Sequence, residues 1–398
     1  MRLVVVSHKL CWPDQNSASG FATDGGFPLQ MAAISELFEE TTVMAPCSAN
    51  ALPAGISPLE GNSLNVAPLS VPKGTGLRRK VDMVKWLLQN GPSIWRRIRQ
   101  ADAVHAPIPG DVGTIGMLFA LLQGKPLLVR HCGNWLVQKT TAERIWKWSM
   151  EYFAGGKNVM FATGGAAHPP SPTNPNVKWI FSTSLRAGQL ENGPPRTLPS
   201  DRKVKLIIAC RQEARKGTDK VIDSLPAILA VFPDATLDVV GDGSLIPSLR
   251  RRVEALGLHE HVNFHGRVEQ RQVMELLKQS HLFCYPTTAS EGFPKVVLEA
   301  LACGLPVITT RVSVLPQLLG SGAGVLLEKP TEDQLARAVI ELVSDHEAYA
   351  RMSAKAMETA NEYSLEKWRD VIGDALRRAW NVSSLAATQI DSNTVLEH

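Results

Sequence analysis

The sequence has little of what several large protein classes require. Cysteine is scarce, with 6 in 398 residues. Cys11, Cys47, Cys132, Cys210, Cys284 and Cys303 include no pair at CxxC spacing and no accompanying His cluster. A zinc module or a disulfide scaffold is therefore excluded. Cys210, Cys284 and Cys303 sit in apolar runs, where a free thiol behaves as a small hydrophobe, and a reducing cytosol is the expected compartment. No apolar run reaches the roughly 18 residues of a membrane span. The opening Met1–Ser7 is too short for a signal h-region and reads as a buried strand. No GxGxxG follows it, which weakens a dinucleotide reading. No Asp-X-Asp triplet occurs anywhere. Net charge is small, 42 Lys/Arg against 38 Asp/Glu for +4. That is too little for a general nucleic-acid binder.

What charge there is lies unevenly. Residues 1–200 carry 19 Lys/Arg against 12 Asp/Glu, and the rest 23 against 26. A basic first half is expected to meet something anionic. At about 100–200 residues per domain, the length predicts two domains. Short β-rich runs alternate with helical patterns: Leu3–Val6, Thr42–Ala45, Ala103–His105, Leu127–Arg130 and Val159–Ala162 as strands, with helices such as Leu29–Phe38 and Thr141–Phe153 between them. The Gly- and Pro-rich stretch 186–202 interrupts this, with the linker proper set at 189–202. The alternation restarts at Val204–Cys210 and runs through Thr236–Val240, Val262–His265, Leu282–Tyr285 and Val307–Thr310. Such alternation predicts an α/β protein with two doubly wound parallel sheets, residues 1–188 and 203–364. A last helix, 365–380, is expected to pack back on the first domain. The polar tail 381–398 is expected to fray, and Leu396-Glu397-His398 reads as a tag remnant.

Two such domains enclose a cleft, and ligands bind outside the carboxyl ends of the strands. Several motifs fall there. After the strand ending near Tyr285 comes Glu291-Gly292-Phe293-Pro294-Lys295-Val296-Val297-Leu298-Glu299-Ala300-Leu301-Ala302-Cys303-Gly304. Pro294 suits a helix start and Gly304 a helix stop. Glu291 sits in the loop, where a carboxylate also serves as a plain electrostatic cap. Glu299 lies on an otherwise apolar helix face and must be hydrogen-bonded or paired. Arg211 and Lys216 occupy the loop after Val204–Cys210, just before a helix. Gly241–Gly243 and Phe264-His265-Gly266-Arg267 are two further strand-end turns. A plain turn is the bland reading of both, and His265 is read as structural.

This long Glu-to-Glu segment resembles the signature of family-4 retaining glycosyltransferases. That resemblance implies the GT-B fold, two facing Rossmann-like domains. It implies that Glu291 contacts donor-sugar hydroxyls near C3 and that Glu299 holds the nucleotide ribose, whose diol a carboxylate accepts from twice. Backbone N–H groups of Gly292, Phe293 and Lys295 would meet sugar or phosphate oxygens, while Pro294 has no N–H to give. Arg211 and Lys216 resemble the family's diphosphate clamp. Arg215 is an extra cation with no matching role. Gly266 and Arg267 would lie against the base.

In the first domain, Thr23-Asp24-Gly25-Gly26-Phe27 before a helix resembles the glycine loop that faces the donor diphosphate, since glycine lets backbone approach phosphate closely. His131 ends the strand Leu127–Arg130, where the resemblance places a His against the donor sugar. Arg130, Asn134 and Asp24 rank behind it. Phe181–Leu185 departs from the Asn-Gly pattern common before the linker.

The resemblance thus implies a retaining transferase. It moves a sugar, of hexose type, from a nucleotide-sugar co-substrate to an acceptor hydroxyl that is lipid-linked or part of a growing polysaccharide. Neither metal nor cofactor is expected. An epimerase or hydrolase, or a non-catalytic nucleotide-sugar binder, stands as the alternative, and no nucleic-acid partner is expected. Lys73–Arg99 carries eight cations and one acid with Trp86, Leu87, Leu88, Ile94 and Trp95 interleaved. Such a segment suits an anionic membrane surface. The expected place is cytoplasmic, with peripheral contact on the inner face of the membrane.

Overall fold

The structure is a computed structural model. It describes residues 1–382 apart from 54, 75, 139, 167, 191–192, 199–202 and 290–291, and apart from the side chain of 77. Glu291 and most of the tail thus lie outside the described residues. The first half contains strands β1 (Arg2–Val6), β2 (Cys11–Pro13), β3 (Phe21–Thr23), β4 (Glu40–Pro46), β5 (Ser57–Pro58), β6 (Leu64–Leu69), β7 (Ala103–Ile108), β8 (Leu127–His131), β9 (Asn158–Thr163) and β10 (Val177–Ile180). Its helices are α1 (Phe27–Ser35), α2 (Gly76–Gln100), α3 (Asp111–Leu122) and α4 (Thr141–Phe153). Seven strands pair in the order β10-β9-β8-β7-β1-β4-β6, all parallel. Most are buried on both faces, as helix-covered parallel strands must be. Between β1 and α1 the chain forms β2 and β3, which join β5 in a small antiparallel sheet, β2-β3-β5.

The second half contains β11 (Lys205–Ala209), β12 (Thr236–Val240), β13 (Val262–Gly266), β14 (Leu282–Tyr285), β15 (Val307–Thr310) and β16 (Gly324–Leu327). Around them lie α5 (Thr218–Leu229), α6 (Ile246–Ala255), α7 (Gln270–Gln279), α8 (Lys295–Ala302), α9 (Leu315–Leu319), α10 (Glu332–Ser344) and α11 (His346–Asn361). The sheet order is β13-β12-β11-β14-β15-β16. The chain winds outward from β11 in one direction, then returns to β14 and winds outward in the other. The gap between β11 and β14 is therefore a switch point, where loops diverge and leave a crevice. In the first sheet the same reversal lies between β1 and β7.

The stretch read as a linker is no free tether. Arg196 reaches the carbonyls of Leu277, Cys303 and Lys278 at 3.4, 3.3 and 2.7 Å. Its backbone N–H donates to Ser353 Oγ at 2.9 Å, and Leu198 joins the second core. These contacts fasten it to the second domain. The chain then crosses back. In α12 (Leu365–Trp380), Trp368, Ile372 and Leu376 pack in the first core with Leu3, Val5, Met31 and Ile34. Across the cleft, Phe293 meets Phe181 and Tyr363 at ring distances of 6.4 and 5.8 Å.

Candidate active site

The loop after β11 is built by its buried polar residues. Gln212 accepts from Thr218 Oγ1 at 2.6 Å and donates to the carbonyls of Cys210 and Val240. Gly217 has φ +89° and passes so close to Pro286 O that a β-carbon there would stand 2.5 Å from it. Arg215 now has a role. Its Nη2 donates to Thr288 O at 2.6 Å, and its own carbonyl accepts from Thr287 Oγ1 at 3.0 Å. It staples the loop after β11 to the loop after β14, the two lips of the switch point.

On the crevice wall that this frame holds stand Arg211 and Lys216. Arg211 is exposed and pairs with Glu213 at 3.2 Å. Lys216 lies half-buried, its Nζ 3.4 Å from Tyr285 Oη, and burial lowers its pKa. Gly241, φ +110°, lets β12 end against Cys210 O with no room for a β-carbon. Gly266 turns at φ +65°, and Arg267 follows it onto the wall. His265 pairs with Asp238 at 2.9 Å as a structural contact.

Glu299, 8% exposed, sits on the buried face of α8. Its Oε1 accepts from Ser184 Oγ at 2.9 Å and from Gln270 Nε2 at 2.8 Å. Ser184 lies in the crossing segment and Gln270 opens α7. Neither was singled out from sequence, because no local pattern links them to a carboxylate so far along the chain.

Gly292 lies so close to the first domain that a β-carbon there would stand 2.8 Å from Gly133 O. Lys295 is half-buried, and its ammonium reaches toward Gly26, where a β-carbon would overlap it. Desolvation, then Arg130, pulls its pKa down to about 8. Asp24 holds Lys9 at 2.5 Å, and Gly25 turns at φ +70° beside it. His131 lies beneath the cleft floor, edge-on to Trp135 at 5.3 Å. Burial pulls its pKa down to about 4, so it is neutral at pH 7.

Two adjoining cavities result. One of about 650 Å³ is lined by Asp24, Arg211, Gly241, Arg267, Val296 and Glu299. The other, about 680 Å³, is lined by Gly133, Arg211, Lys216, Phe293, Pro294 and Lys295 among others. The crevice brings Arg211, Lys216, Arg267, Gly292, Phe293, Pro294, Lys295 and Glu299 together. His131, Gly25 and Gly266 are not on these walls. A carboxylate with spare lone pairs, two facing cations and loop N–H groups can grip a diol and an anion side by side.

Two facing doubly wound domains with this crevice define a GT-B fold, and known structures share it. HepE from Anabaena, crystallised with UDP and glucose, has a TM-score of 0.69 at 18% identity, over 94% of this chain and 98% of that one. WaaG, a glycosyltransferase involved in lipopolysaccharide biosynthesis, has a TM-score of 0.62 at 14% identity, over 94% and 99%. Residues 192–359, most of the second domain, match the family model for glycosyl transferases group 1.

Among curated relatives, the GDP-mannose-dependent monoacylated alpha-(1-6)-phosphatidylinositol monomannoside mannosyltransferase of Corynebacterium glutamicum is 35% identical over 156 residues, 37% of this chain and 40% of the relative. The phosphatidyl-myo-inositol mannosyltransferase of Mycobacterium leprae is 26% identical over 220 residues, 55% and 54%. The chain thus spans about half the length of the curated relatives it matches or less.

Proposed function

We propose that the chain is a retaining glycosyltransferase that moves a hexose from a nucleotide-sugar donor to an acceptor hydroxyl, without a metal. The observation that carries this is Glu299 and Arg211 on one cavity wall at the switch point of a group 1 domain. In this reading Glu299 takes the ribose diol and the Gly266–Arg267 turn lies along the base. Arg211 and Lys216 take the diphosphate and stabilise the charge that grows there as the glycosidic bond breaks. Glu291 orients the donor sugar. Gly25 and Gly26 close over the phosphates from the first domain. His131, being neutral, serves the sugar as a hydrogen-bonding group. Attack comes from the front face, the departing phosphate takes the acceptor proton, and the protein contributes position and electrostatics.

The acceptor in this reading is lipid-linked or a growing saccharide. The relatives named for phosphatidylinositol support a lipid headgroup, and so does α2, whose cations lie beside exposed Val81, Val84 and Leu88. Peripheral contact with an anionic membrane follows. A panel of UDP-, GDP- and ADP-sugars, with and without lipid and saccharide acceptors, tests the activity. Acceptor-dependent diphosphate release with retained anomeric configuration is expected. Acceptor-independent release would make it a hydrolase, and binding without turnover a sensor.

A further inference from the structure

A third cavity, of about 270 Å³, opens on the first domain's side of the cleft. Lys9, Gln30, Arg130, Thr163, Ser182 and Lys295 contribute to its wall, and no Asp or Glu lines it among the described residues. Gln30 is satisfied, donating to Ser182 Oγ at 3.0 Å and to Thr183 O at 3.2 Å, but two polar groups on the wall are not. Arg130 is 3% exposed, yet its Nε has no hydrogen-bond partner. Its guanidinium lies 4.9 Å from the Trp368 ring, a soft contact that leaves the charge uncompensated. Thr163 Oγ1 is likewise buried without a partner. Lys295 stands close enough to Arg130 for the two cations to disfavour one another. Glu299, one turn along α8, already accepts from Ser184 and Gln270. Among the described residues, Lys9 is the one cation on this wall that is ion-paired, with Asp24.

Burying a cation is costly unless it is paired. Buried Arg130 and half-buried Lys295, beside a cavity that no Asp or Glu among the described residues lines, with an unused N–H and an unused hydroxyl, form a ready oxyanion site. Arg211 and Lys216 do not line this cavity, so it is distinct from the cations assigned to the diphosphate. On the glycosyltransferase reading, we propose that it is a second oxyanion subsite, which takes a phosphate or carboxylate carried by the acceptor or by the donor sugar.

Titration of inorganic phosphate into the full chain, with saturating UDP or GDP present, tests this. One phosphate is expected to bind with the nucleotide in place, and Lys295→Met to weaken it at least tenfold. Arg211→Ala is expected to weaken the nucleotide and leave phosphate unchanged. Arg130→Gln risks the Trp368 packing, so Lys9→Met is the second variant, each checked by thermal melting. Phosphate that competes with the nucleotide, or fails to bind, overturns the subsite. If UDP, GDP and ADP all fail to bind, the glycosyltransferase reading fails, while the titration with phosphate alone still decides the cavity.

Two paired comparisons locate the oxyanion. A preference for UDP-glucuronate over UDP-glucose that Lys295→Met removes places it on the donor. A preference for glycerol 3-phosphate over glycerol that the same change removes places it on the acceptor. Absence of both preferences overturns the proposal.

Discussion

Ser184 Oγ donates to Glu299 Oε1 at 2.9 Å, a bond between the segment that leaves the first domain and the helix at the heart of the second. With Gln270 it fixes the carboxylate and leaves Glu299 Oε2 for a ligand. Glu299→Gln keeps the shape and removes the charge. A hydrogen bond to a charged group is worth about 1.5–3 kcal/mol, so nucleoside diphosphate affinity should fall about ten- to a hundredfold. Calorimetry on the variant checks this, and affinity equal to that of the unaltered protein would remove Glu299 from the site. Ser184→Ala should cost less, because Gln270 still holds the carboxylate.

Arg211→Ala or Lys216→Ala should each weaken the diphosphate about tenfold or more, by the same magnitude for a charged bond. Arg215→Ala should act differently. Its side chain holds the loop to Thr288, so its loss should lower the melting temperature as well as the affinity. Turnover should survive EDTA, and complete loss with chelator would refute the metal-free reading.

The strands at the switch point were legible because each is a short β-rich run between turn residues. Helix α3 was not. Its sequence is apolar almost throughout, so no 3.6-residue stripe stands out. Gly113 and Gly116, which look like breakers, are there because Pro107 O and Val6 lie against them. The β2-β3-β5 sheet was missed because its strands are two or three residues long. Glu299 was legible through the long Glu-to-Glu motif, and Arg211 and Lys216 through the basic loop between a strand and a helix. Ser184, Gln270, and the meeting of Arg130 with Lys295 were not, since tertiary packing alone brings them there.

The glycines divide by what they touch. Gly241→Ala would drive a β-carbon into Cys210 O at φ +110°. Neither the backbone nor the conformation can yield cheaply, so the melting temperature should drop by several degrees. Gly26→Ala overlaps the flexible end of Lys295 and otherwise makes an ordinary contact of 3.6 Å with Ser184 Cβ. It should leave melting nearly unchanged and weaken anion binding instead. Equal melting losses in the two variants would show that Gly26 is a fold requirement.

Lys295 sets a pH dependence. Its pKa of about 8 results from burial and Arg130, opposed by Glu299 and Cys132, with Lys9 again lowering it. The ammonium form binds anions, so anion affinity should hold below pH 8 and fall by up to about tenfold per unit above it, the slope of a single protonation. Lys295→Met should flatten that profile. Stability runs the other way. An unfolded Lys titrates near about 10.4, so between about 8 and 10.4 the unfolded chain holds the extra proton. This group then makes stability rise with pH in that window. A flat affinity profile in the unaltered protein would take Lys295 out of anion binding.

Helix α2 carries the membrane prediction. It buries Trp86, Ile94 and Ile98 in a separate cluster of the first domain, with Val4, Val6 and Met117, and exposes Leu88 at 75%. Arg78, Lys80, Lys85, Arg96, Arg97 and Arg99 are all exposed. Arg79 is not free in the same way, because its Nε pairs with Asp111 at 2.8 Å. Grooves of about 510 and 520 Å³ flank the helix, the second bounded by α4. Nearby on α4, Trp148 is 59% exposed and stacks on Tyr152 at 5.4 Å. Aromatic rings beside cations suit the headgroup layer of an anionic bilayer. Attraction of about 1 kcal/mol per nearby cation makes three or four contacts measurable. The protein should sediment with acidic liposomes and not with neutral ones. Raising salt should release it, since screening shortens the field to about 8 Å at physiological strength. Replacing Arg78, Lys80 and Lys85 with Ser should remove most of the binding and leave melting unchanged, because none of the three is buried. Transfer to a soluble acceptor analogue should be spared, as none of the three lines the crevice. Equal, negligible sedimentation with both liposome types at low salt would make this an ordinary solvated helix face.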